Sequence, residues 1–69
     1  MKISVFAWNE KYHVKLELSQ YEQTFKIKQS DVVGLEGLKE LIDQEFLAKA
    51  MAQFIQMREA FSETYKRNA

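Results

Sequence analysis

Residues 12–18, YHVKLEL, alternate without interruption. Tyr12, Val14, Leu16 and Leu18 fall on one side of an extended chain, and His13, Lys15 and Glu17 on the other. Successive side chains of a strand point to opposite faces, so a period of two places this stretch in a sheet with one buried face. The neighbouring stretches follow suit. QTFKIK predicts a strand over 23–28, with Phe25 and Ile27 inward and Thr24, Lys26 and Lys28 outward. MKISVFAW predicts a strand over 2–8 with Ile3, Val5 and Ala7 on the core side. Asn9-Glu10-Lys11 and Ser19-Gln20-Tyr21-Glu22 read as the connecting turns, and Asn readily adopts the left-handed backbone that a tight hairpin needs. The first half is thus expected to be a three-stranded antiparallel meander spanning 1–29.

The period changes after residue 29. Ser30-Asp31 can cap a turn, and DVVGLEG holds both glycines of the chain, which marks 30–37 as a linker between sheet and helix. From Leu38 to Arg67 there is neither glycine nor proline, and Ala, Leu, Glu, Lys, Gln and Met dominate, all good helix formers. Glu36 and Glu40 suit the positive end of the helix dipole and Lys66 and Arg67 its negative end. Glu45–Lys49 and Glu63–Arg67 are i,i+4 pairs. The expected architecture is α+β, β-β-β-α in one small domain, with 38–67 helical. Its helix covers Tyr12, Val14, Leu16, Leu18, Phe25 and Ile27, and Ile3, Val5 and Ala7 pack closely beneath it.

Lengths raise a difficulty for that picture. A seven-residue strand spans about 23 Å, whereas a 30-residue helix spans about 45 Å. The overhang would carry apolar residues of the stripe Leu47, Ala50, Phe54, Met57 and Phe61, flanked by Phe46, Met51 and Tyr65. A row of that size is not left bare on a soluble monomer. Either the helix breaks near Asp43, which then caps a second helix, or it continues and meets a second copy of the chain. The lack of glycine or proline at the junction favours continuity, with Phe54, Met57, Phe61 and Tyr65 as the self-association surface.

Size supports association as well. A 69-residue domain is marginal on its own core, and such chains commonly lean on disulfides, metals or oligomerisation. Cysteine is absent and there is a single histidine, which leaves a homodimer. Ten basic and ten acidic side chains cancel, an unfavourable balance for a non-specific nucleic-acid binder. The split is mildly uneven: five lysines against three glutamates in 1–30 gives +2, and five basic against seven acidic residues in 31–69 gives −2. The N-terminal stretch has no apolar run of signal length, no segment approaches about 20 apolar residues, and cysteine is lacking, so a cytoplasmic protein off the membrane is expected.

No motif of catalysis stands out. His13 has a side chain suited to general-base work, but its strand neighbours supply no orienting partner, and it reads as a surface histidine on the outward face. Glu36, Glu40 and Asp43 share one helical side, which reads as a solvated face and not as a cation site. GLEG lacks the lysine and serine of a phosphate loop. No enzyme activity, cofactor, metal or small-molecule substrate is therefore expected.

The surplus lies on the outward face of the sheet. Phe6 and Trp8 point away from the core and share that face with His13, Lys15, Lys26 and Lys28. Three covers fit such rings: the chain itself or its second copy, a partner protein for which Trp and Phe are usual anchors, or single-stranded nucleic acid stacking on rings among lysines. The expected function is a small homodimeric accessory or regulatory protein that binds another protein through this face, with a nucleic-acid-binding regulator as the alternative.

Overall fold

The computed structural model describes residues 1–68. It contains strands β1 (Lys2–Trp8), β2 (Lys11–Leu18) and β3 (Tyr21–Lys28), a 3-10 turn at Gln29–Asp31, and helices α1 (Gly34–Leu41) and α2 (Gln44–Arg67). The strands form one antiparallel sheet in the order β1-β2-β3. The α+β class and the strand order are those the alternation implies.

Both hairpins close in two residues. Asn9 and Glu10 have φ of 55° and 63°, the paired left-handed geometry of a type I′ turn, whose twist matches that of the strands. Ser19 takes φ 58° at the second turn. These turns set the register: Trp8 faces Lys11, Phe6 faces His13 and Val5 faces Val14, while Leu18 faces Tyr21 and Val14 faces Phe25. β3 begins two residues earlier than its alternation suggests, because the second turn needs only Ser19 and Gln20.

The helical half is two helices, which corrects the continuous helix favoured by composition. α1 begins at Gly34, inside the expected linker, and ends where Ile42 leaves helical geometry at ψ 70°. Asp43 then stands extended, and its carboxylate accepts the Phe46 N–H at 2.8 Å, satisfying one of the orphan donors of α2. A capping carboxylate is enough to restart a helix; no glycine or proline is required. Gly34 has φ 64°, a conformation that L side chains rarely adopt. Gly37 lies within α1.

α2 lies across the inner face of the sheet, chiefly over β3. Phe46 meets Phe25 edge-on at 5.0 Å, the Gln23 side-chain amide donates to the Ala50 carbonyl at 2.9 Å, and Phe61 meets Tyr21 at 6.3 Å. Contacts that run forward along α2 thus run backward along β3, so the two are antiparallel. Val14, Leu16, Leu38, Ala50 and Phe54 form the buried core, with Tyr12, Phe25, Leu47 and Met57 among the half-buried residues packed around it.

This placement corrects a second expectation. α2 covers β2 and β3 but not β1, and Ile3 and Val5 remain 43 % exposed, with Ala7 exposed beside them. Glu45 and Lys49 line a cleft with Phe25 and Ile27, on the β3 side of α2. Met51 and Ile55 lie roughly a quarter-turn beyond buried Ala50 and Phe54, on the opposite flank, towards β1. Both are exposed.

Candidate functional site

The outer face of the sheet carries no helix, and the register arranges its side chains in four cross-strand rows. Trp8, Lys11 and Lys28 form the row nearest the first turn. Phe6, His13 and Lys26 follow, then Ser4, Lys15 and Thr24, and last Lys2, Glu17 and Glu22. The two halves of this face differ in charge. In the last two rows Lys15 Nζ lies 3.1 Å from a Glu22 carboxylate oxygen and 4.0 Å from one of Glu17. The Glu22 hydrogen bond and charge, and then Glu17, hold the Lys15 ammonium above its ordinary 10.5. Lys15 is therefore committed to an internal network and is the least available of the lysines expected at the site.

The first two rows are different. Lys11, Lys26 and Lys28 form no ion pair among the described residues, and the rows contain no carboxylate. Lys11 and Lys28 stand directly opposite one another, an arrangement that like charges disfavour. Lys11 joins this group through the register; its position at a turn concealed it in the sequence. Beside the lysines, Trp8 is 67 % exposed and Phe6 50 %.

His13 corrects the expectation of a surface histidine: only 7 % of it is exposed. The cause is lateral. Phe6 faces it from β1 and stacks on its ring at 4.7 Å and 8°, and Trp8, on the diagonal, leans over it at 6.2 Å and 57°. Its Nε2 is buried without a hydrogen-bond partner among the described residues. A buried polar atom left unpaired costs about 1–3 kcal/mol, a cost set against the stacking of two rings on the imidazole.

The residues expected to mediate self-association through the helix separate. Phe54 is 1 % exposed and belongs to the protomer's own core, which removes it from any interface. Met57 is half-buried against that core, while Phe61 and Tyr65 are exposed and adjoin one another at 6.4 Å. Glu45–Lys49 forms at 3.2 Å, whereas Arg67 donates to the Thr64 hydroxyl at 3.1 Å, with no pair to Glu63.

Among the described residues no cluster of three or more His, Asp or Glu side chains is placed to hold a metal ion, and no helix is long and apolar enough to cross a membrane. The cleft at the α1–α2 junction has a volume of about 430 Å³ and is lined by Val14, Phe25, Ile27, Leu41 and Phe46. Its rim charges are engaged: Asp43 caps α2, and Glu45 pairs with Lys49. Comparison with protein-family models, with curated proteins and with solved structures finds no match.

Proposed function

We propose that this chain is a non-enzymatic, homodimeric interaction module that binds an acidic segment of a partner protein on the open face of its sheet. The observation that carries the reading is the juxtaposition of exposed Trp8 and Phe6 with three lysines that no carboxylate neutralises. A carboxylate-bearing segment relieves the Lys11–Lys28 repulsion, and an apolar side chain on the same segment covers the rings. Covering a large ring contributes about 1.5–3 kcal/mol before ordering and desolvation costs are subtracted. An accessory or regulatory role in the cytoplasm accords with a small, cysteine-free module of this kind.

The nucleic-acid alternative draws on the same rings and lysines, since bases stack on exposed aromatics. Two observations favour protein. Lys15 is already neutralised by Glu22 and Glu17, and Phe6 spends one ring face on His13. Panning a random peptide library on phage against the immobilised protein separates the two. The reading expects enriched sequences that combine acidic residues with an apolar anchor, and loss of their binding with Trp8→Ala and Lys28→Glu. Failure to enrich any sequence, together with salt-sensitive binding of single-stranded oligonucleotides, would overturn it in favour of the alternative.

A further inference from the structure

The two edges of the sheet are unlike. In a two-residue hairpin the closing pair exchanges both backbone hydrogen bonds, and bonded and non-bonded pairs then alternate. Trp8↔Lys11 is that pair, so Phe6 and Ser4 also bond inward to β2, and the N–H and C=O groups of Ile3, Val5 and Ala7 point out from the free edge. The same counting from Leu18↔Tyr21 leaves Glu22, Thr24, Lys26 and Lys28 pointing out from β3. That edge is studded with charge, a common protection against pairing with another strand. β1 has no such protection. It carries no proline, no bulge and no inward-pointing charge, and the residues that offer free backbone groups are those whose apolar side chains α2 leaves bare.

We propose that β1 pairs antiparallel with β1 of a second copy of this chain, on a two-fold axis at Val5, joining two meanders into one six-stranded sheet. The register is self-complementary. Val5 faces the other copy's Val5, Ile3 faces Ala7, Ser4 faces Phe6 and Lys2 faces Trp8, so all seven residues of β1 are paired and no like charges meet. On the inner face, Met1, Ile3, Val5, Met51 and Ile55 of each copy close over the axis. These five side chains are each about two-fifths exposed and offer on the order of 350 Å² of apolar surface, close to half of the ~800 Å² each partner gives in a standard interface; the paired β1 backbones add to it, and the outer rings stay uncovered. The outer faces become continuous, so the two aromatic clusters share one surface. This inference rests on the homodimer reading above and specifies its interface.

The test is molar mass by light scattering at about 50–100 µM for the native chain and for charge variants at the axis. A native dimer is expected, with Val5→Lys and Val5→Glu each monomeric and their mixture dimeric again, because Lys and Glu then face each other. Phe61→Glu and Thr24→Pro, on the helix and the opposite edge, should stay dimeric. A monomeric native chain overturns the interface and the homodimer reading together. A native dimer that survives both Val5 variants but is lost in Phe61→Glu overturns the interface alone. Should the Val5 variants unfold, amide exchange in the native protein decides: the N–H groups of Ile3, Val5 and Ala7 are protected and those of Glu22, Thr24 and Lys26 exchange quickly. Equal, rapid exchange at both edges overturns the proposal.

Discussion

Phe54 and Phe61 lie seven residues apart on one stripe of α2, yet the structure gives them opposite roles, and truncating each to alanine measures the difference. Phe54 is 1 % exposed at the centre of the core. Its loss removes a full aromatic side chain and leaves a cavity, which costs about 3–5 kcal/mol. A domain of this size has a total stability of about 3–10 kcal/mol. The truncation therefore takes away a third or more of what holds the fold. With a urea slope near 1 kcal/mol/M for a small domain, the midpoint falls by about 3–5 M. Phe61 is half exposed, with an edge contact to Tyr21 and a looser, tilted one to exposed Tyr65. Its truncation costs about 1 kcal/mol, the scale of an aromatic pair. The assay is urea unfolding followed by far-ultraviolet circular dichroism at one fixed protomer concentration, since association couples stability to concentration. Equal losses for the two variants, or a Phe54→Ala chain that unfolds within about 1 M of the native midpoint, would refute the assignment of core and surface.

Four further outcomes follow from the backbone and from the ion pairs of Lys15. Glu10→Gly should raise stability by about 1 kcal/mol, read as a higher urea midpoint, because Glu10 holds a left-handed φ of 63° that glycine adopts without strain. Gly37→Ala should also stabilise, by up to about 1 kcal/mol, since a Cβ there meets Val32 at an ordinary 3.5 Å; Gly34→Ala should destabilise, because its φ is 64°. The Lys15 ammonium is held above its ordinary 10.5 by Glu22, then Glu17, so its contribution to stability is complete below that pH and disappears as pH rises through the higher folded value. Alkaline unfolding curves should show this loss in the native chain and not in Lys15→Met.

Much of the fold is legible in the sequence because its causes are local. YHVKLEL can bury only one face as a strand, and the hairpin turns permit little choice of register. Even the burial of His13 follows from a two-residue first turn, which puts Phe6 directly across from it. Reading Asn9-Glu10-Lys11 as the loop hides that pairing, and with it the place of Lys11 beside Trp8. The break before α2 has a local cause too: Asp43 extends and caps Phe46, a signal that outweighs the absence of glycine and proline. Which strands the helix covers is different in kind. Periodicity marks Ile3, Val5 and Ala7 as a core-side set in the same way as Val14 and Leu16, but one helix is too narrow to cover three strands. The choice of β2 and β3 depends on long-range contacts such as Gln23 to Ala50. The apolar residues left over on β1 are a consequence of that tertiary choice, which is why the stripe on α2 and not the edge strand stands out in the sequence.

The division of the sheet into a covered inner face and a binding outer face is tested most directly by nuclear magnetic resonance of the native chain, titrated with an acidic peptide selected on it. Shift changes are expected to concentrate at the Trp8 indole, the Phe6 and His13 rings and the Lys11, Lys26 and Lys28 signals, with α2 unperturbed. Changes confined to α2, or to the cleft between Phe25 and Leu41, with the Trp8 indole unmoved, would contradict it.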